Sequence, residues 1–278
     1  VLTRVGTWFR LHSLNPERLG LFYFAKVKSL MNTGRSVLAI FLLALAEACS
    51  TDLKRPDQEG TPLPSSGRVW TLIQPFSKWV DLDFPAKPRS QYRPYTEQGQ
   101  EYLFAKSEGT ASMYRWQMTP PKSGVAAVKF SWRVPKGIAN ANIADRYADD
   151  APARLVLAFE GDRRRFSTMD AVLAELTLAL TGEPMPYATL MYVWCETCVT
   201  DRVVPHGRTE RIRYIELAAP KEQRYGWQNF ERNIGKDFAL AFGEPMGPLE
   251  SVGIMTDSDN TKSQVNAYFG PVTLSGSE

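Results

Sequence analysis

The chain has 278 residues, 33 basic and 30 acidic, with a formal net charge of +3 and 44% hydrophobic residues. That composition is ample for a buried core and lacks the charge excess that nucleic acid demands. The small excess is local, because residues 1–49 hold six basic and two acidic residues and leave 27 basic against 28 acidic in the rest, so no nucleic-acid partner is expected.

From Met31 the chain reads MNTGRSVLAIFLLALAEACSTD, a basic start at Arg35 followed by an apolar run from Val37 to Ala46 and small residues before Cys49. A run of that length is too short to span a bilayer comfortably and has the layout of a secretory signal. Ala46-Glu47-Ala48 fits ordinary signal peptidase, while a cysteine at the first mature position is what lipidation of a bacterial lipoprotein requires; Glu47 and the early Leu45 depart from the usual lipobox. Residues 1–48 are therefore read as a leader and signal segment with translation starting at Met31. Cys49 is expected to be the lipidation site of a lipoprotein, the alternative being the plain N-terminus of a free periplasmic protein, and the expected address is the periplasm or the outer membrane. Membrane contact is expected only through the lipid anchor. Residues 49–68, polar and rich in Pro and Gly, read as a flexible tether.

Residues 69–274 read as a single domain. Short runs rich in β-branched and aromatic residues predict strands over 69–73, 100–106, 112–118, 125–134, 154–160, 189–194, 211–218, 251–256 and 265–274. In the fourth of these Val128, Phe130 and Trp132 alternate with Lys129, Ser131 and Arg133, which describes a sheet with one buried face. Two helices are predicted. One covers 167–182, with Ser167 as cap, Leu173, Leu176 and Leu180 on one face, and Gly182 as stop. The other covers 229–243, with Phe230, Ile234, Phe238 and Phe242 every fourth residue. The fold class is mainly β, an antiparallel jelly-roll-like sandwich with two covering helices.

SWRVPKG, YADDAPARLVLAFEGD, LMYVW, ERNIGKDFALAFGEP and GIMTDSDNTKSQVNAYFG, in that order, resemble a family of exported bacterial proteins, domain of unknown function 3047. The resemblance covers about residues 70–274. It implies a β-rich exported domain of jelly-roll type and transfers no catalytic residues. The C-E-T-C stretch is a departure from it.

The strongest local signal is the polar knot TDSDNTKSQ, set between two apolar strands. Asp257, Asp259 and Asn260 exceed what a hairpin needs to satisfy its own backbone, so a sugar or a cation contact is expected there, with calcium as the cation and Asp257 and Asp259 as its ligands. An EF-hand is excluded, since its sixth position would be Lys262 and its twelfth Tyr268. Asp149 and Asp150 form a second acidic turn just before Arg154; adjacent carboxylates repel, so this is either a solvated turn with Arg154 as counter-charge or a metal or ligand contact. Trp194 and Tyr268 are the aromatics placed to stack on a sugar ring. Together these residues define a polar ligand site at one end of the sandwich.

Cys195 and Cys198 in VWCETCV are expected to form a structural disulfide, because VTDRVVPHG offers no following helix to activate a thiol, and a zinc site borrowing His206 would lack a fourth ligand. RTERIR (208–213) resembles the R-T-E-x-R strand of alginate-lyase-type jelly rolls, but Ile212 stands where a second Arg belongs. The function expected is a noncatalytic module for a glycan or small polar ligand. The alternative is a carbohydrate-active enzyme, a glycoside hydrolase or polysaccharide lyase, using paired carboxylates.

Overall fold

The computed structural model describes residues 69–276, so the leader, Cys49 and the whole tether lie outside the described residues. Strands are β1 (Val69–Leu72), β2 (Val80–Asp83), β3 (Gln91–Glu97), β4 (Gln100–Glu108), β5 (Ala111–Lys122), β6 (Val125–Arg133) and β7 (Ala151–Phe159). They continue as β8 (Ala188–Cys195), β9 (Val203–Pro205), β10 (Ile212–Ala218), β11 (Trp227–Asn233), β12 (Leu249–Asp257), β13 (Gln264–Phe269) and β14 (Thr273–Gly276). The helices are α1 (Thr168–Thr181) and α2 (Ile234–Phe242).

Two seven-stranded sheets result. The second runs β2-β5-β12-β7-β8-β10-β9, antiparallel except for the β8–β10 pair. In the first, β3, β4, β13 and β6 pair in succession, and β1 pairs with β14. β6 also pairs with β14 along its first half and with β11 over Ala127–Arg133. The single strand expected over 265–274 is thus two, since Pro271 has no N–H to donate and the ladder resumes only at Thr273.

Inward residues of both sheets meet in one core that includes Leu103, Phe130, Trp132 and Phe269 from the first sheet and Leu155, Leu190, Tyr192 and Ile254 from the second. Phe130 stacks on Tyr192 between the sheets at 5.5 Å, and the Trp132 indole N–H donates to Gln228 at 3.0 Å, which satisfies the polar atom of a fully buried ring. The two outer faces differ. Every residue of β7 is buried, because the 138–151 segment and neighbouring loops place Ile143 and Phe84 against the outside of the second sheet. On the first sheet the outer residues of β3, β4, β11 and β13, and of β6 from Lys129 to Arg133, stay partly or fully exposed.

α2 packs as expected: Ile234, Phe238 and Ala241 are buried, Phe238 lies 4.9 Å from Phe159, and Gly243 ends the helix in the left-handed region. Its predicted first turn is instead the strand β11. Asn233 keeps an extended backbone and caps the helix by accepting from the Lys236 N–H, while Phe230 enters the core from the strand, stacked on Phe130 at 5.1 Å. At Phe230, the first member of the four-residue periodicity, pairing with β6 outweighs the helical spacing that Ile234, Phe238 and Phe242 go on to follow. α1 has its predicted ends, Ser167 and Gly182, yet its leucine face does not enter the core: Leu176 is 51% and Leu180 60% exposed. α1 is fixed through Asp170, which accepts from the Thr209 hydroxyl and the Glu210 N–H. Burial alone would raise the Asp170 carboxyl; the Thr209 and Ser167 hydroxyls outweigh it and hold the group below its usual value.

Candidate functional site

The structure brings the two acidic turns together. One carboxylate oxygen from each of Asp150, Asp257 and Asp259 lies within 4.8 Å of the others. Asp150 receives the Asn260 N–H at 3.0 Å, the Thr261 N–H at 2.7 Å and the Thr261 hydroxyl at 2.6 Å, while the Asn260 amide donates to Asp149. Arg154, projecting outward from β7, reaches Asp257 at 3.2 Å and donates to the Asp149 carbonyl; Lys87 pairs with Asp259. Behind the knot, Ser258 bonds Ser107 at 2.6 Å and the Ser263 carbonyl at 2.8 Å, so its hydroxyl is spent on the turn itself.

These acids are buried. Asp150, Asp257 and Asp259 are 3%, 5% and 7% exposed. Burial raises the Asp257 carboxyl to about 7: Arg154 pulls it down, and Asp150 and Asp149 push it further up. Arg154 stays charged, since these same acids outweigh its own burial. Oxygens this close could ligate a hard cation at about 2.3–2.6 Å. The calcium expected at Asp257 and Asp259 therefore meets a competing arrangement, in which Arg154 and Lys87 already supply positive charge.

A cavity of about 310 Å³ lies beside the knot, lined by Asp150, Trp194, Cys195, Cys198, Arg202 and Glu216 among others. Trp194 packs its ring in the core and is 4% exposed, so it offers no free face for a sugar; its indole N–H has no partner. Cys195, at the end of β8, is joined to Cys198 in the following turn. The third group near the two sulfurs is Glu216 rather than His206, and Glu216 is held by Arg202 at 2.5 and 3.0 Å. The R-T-E-R run lies on the turn before β10 instead of on a strand, so Arg208, Glu210 and Ile212 do not line one groove.

Tyr268 stands elsewhere, on the outer face of the first sheet. The pairing registers place Arg93, Phe104, Tyr268, Arg133 and Trp227 in a single row across β3, β4, β13, β6 and β11. The rings are in contact: Phe104 to Tyr268 at 5.3 Å, Tyr95 to Tyr102 at 5.4 Å, Tyr95 to Tyr268 at 6.3 Å, and Tyr102 to Trp227 at 5.2 Å. Arg133 sits 4.3 Å from the Tyr268 ring and 5.5 Å from that of Trp227, and Arg93 lies 5.2 Å from Phe104. Beside the row Gly270 approaches Ser131 closely: its N–H donates to the Ser131 carbonyl at 2.9 Å, and a Cβ there would collide with the Ser131 hydroxyl. The arrangement is a partly exposed aromatic platform with guanidinium groups set in it.

The model of the family described as protein of unknown function (DUF3047) matches residues 77–273. The chain belongs to this family. No curated protein matches the sequence. Among solved structures, the DUF3047 domain is similar to the family 11 carbohydrate-binding module of the cellulosomal cellulase Lic26A-Cel5E of Clostridium thermocellum, at 8% identity and TM-score 0.40 over 76% of this chain and 97% of that one. It is also similar to the xyloglucanase domain of NopAA from Sinorhizobium fredii, solved with cellobiose, at 5% identity and TM-score 0.37 over 73% and 100%. At these values the likenesses decide nothing about the ligand of this DUF3047 domain.

Of the residues singled out from sequence, Asp149, Asp150, Asp257, Asp259 and Asn260 converge, Trp194 lies in the core and Tyr268 on the platform. Tyr95, Tyr102, Phe104 and Trp227 were not singled out. The usable signal was outward alternation: Arg93 and Tyr95 in QYRPYTE, and Tyr102 and Phe104 in QEYLFAK, stand two apart on their strands.

Proposed function

We propose that this domain is a noncatalytic glycan-binding module whose ligand lies across the outer face of the first sheet. The observation that carries the reading is the row of touching rings on the sheet face that stays open while the opposite face of the sandwich is covered. Pyranose rings have an apolar face and a rim of hydroxyls. Flat aromatic side chains bury the first without losing much rotamer freedom, and outward polar residues such as Ser131, Asn229 and Asn266 answer the second. Binding is favoured over hydrolysis or elimination because the acids that converge are buried and already held, Asp257 and Asp259 by Arg154 and Lys87 and Asp150 by Asn260 and Thr261, and none of them is among the residues of the aromatic row.

Titration calorimetry guided by a glycan array tests this. Trp227→Ala removes a ring that contacts both Tyr102 and Arg133. It is expected to weaken binding by about tenfold or more, of the order seen when an aromatic anchor is truncated, with the fold intact by circular dichroism. An array that stays blank with the unmutated protein overturns the reading. Export is proposed on the leader alone: mass spectrometry of protein from its native host is expected to show lipidated Cys49 at the N-terminus, and a chain retaining residues 1–48 refutes it.

A further inference from the structure

We propose that the glycan taken by this face is anionic, its carboxylate or sulfate groups received by Arg93 and Arg133; this rests on the glycan reading above and adds a charge requirement to it. The lysines of the same face are answered by acids of their own strands or their neighbours, Lys106 by Glu108 at 2.8 Å and Lys129 by Glu231 at 3.3 Å. The two arginines are not. Among the described residues neither has a carboxylate within ion-pair distance, and both rest against rings instead, Arg93 on Phe104 and Arg133 between Tyr268 and Trp227. The Arg133 Nε is buried and has no hydrogen-bond partner.

A guanidinium resting over an aromatic ring can still offer its terminal N–H groups as a planar fork matched to two oxygens of a carboxylate or sulfate. Arg93 and Arg133 are three strands apart in one row, which is about 14 Å between their backbones. An extended acidic oligosaccharide lying along the row would meet both while its rings stack on Phe104, Tyr268 and Trp227. Glu97, at the end of β3 two residues beyond Tyr95, disfavours acidic groups at that end of the strand, away from Arg93.

The test uses the purified protein with hexagalacturonate, hexamannuronate, a heparin hexasaccharide, fully methyl-esterified hexagalacturonate and cellohexaose, titrated at low and at moderate salt. The expected result is binding to at least one anionic oligomer about tenfold or more tighter than to the neutral ones, and weakened by salt, as screening of exposed charge requires. The carboxylated and sulfated probes distinguish the two sources of negative charge. Arg93→Gln, on an edge strand, and Arg133→Lys, which keeps charge but loses the fork, are each expected to erode that preference, lowering affinity for the anionic oligomer by a larger factor than affinity for cellohexaose. Equal or tighter binding of neutral oligomers overturns the charge requirement and leaves glycan binding standing; an anionic preference untouched by both variants also overturns it. Absence of binding to all five overturns both readings.

Discussion

Asp257→Asn tests the electrostatics of the knot in one substitution. Three carboxylates approach one another under the 138–151 segment, and burial raises Asp257 from 3.8 to about 7 even with Arg154 at 3.2 Å. Between those values the unfolded chain has released the proton and the folded chain still holds it, so unfolding releases a proton and stability falls as pH rises. The slope is about 1.4 kcal/mol per pH unit, which over this window amounts to about 4 kcal/mol as an upper limit. This contribution is fully present below pH 4 and is lost as pH rises toward 7. Asp83, Asp170 and Glu183, whose folded values are lowered, act in the opposite sense at lower pH, so only the difference between wild type and variant isolates Asp257. Urea unfolding from pH 4 to pH 8 is the assay. The variant should gain on the wild type steadily as pH rises to 7 and level off above it. A flat difference, or one in which the variant loses ground with rising pH, would mean that Asp257 is an ordinary ionised partner of Arg154, and the reasoning would fail.

Replacing Cys195 and Cys198 together by Ser should leave the fold intact at a cost of about 1–2 kcal/mol, because so short a loop restrains the unfolded chain little; loss of a bound zinc ion, for which Glu216 would be the third ligand, would contradict a structural disulfide. Gly270→Ala should cost about 1–3 kcal/mol by forcing a Cβ onto the Ser131 hydroxyl, with most of it recovered when Ser131 is also changed to Ala; an unaltered melting temperature in the single variant would refute the close approach. Calcium at millimolar concentration is expected to leave the melting temperature unchanged, since Arg154 and Lys87 already hold Asp257 and Asp259; a rise abolished by Asp259→Asn would show that the ion displaces the lysine.

The class of fold and most of its elements follow from local residue patterns. Alternation in 125–134 is a property of one strand and survives any arrangement of the others, and the ends of α1 at Ser167 and Gly182 are local chemistry of the backbone. Local pattern also marked Asp150, Asp257 and Asp259 as exceptional, because acids packed beside apolar strands need an explanation wherever they end up. Only the tertiary structure decided what that explanation is. Whether an acid faces water or Arg154 depends on which segment roofs the sheet, and Asp150 and Asp257 are more than a hundred residues apart. The same holds for Phe230, whose helical spacing yields to the free edge of β6, and for Trp194, whose ring is core because of its strand's place in the second sheet. The aromatic platform is the clearest case. Arg93, Phe104, Tyr268, Arg133 and Trp227 come from five strands and are neighbours only through the registers of four pairings, and register is set by long-range pairing that no single segment encodes.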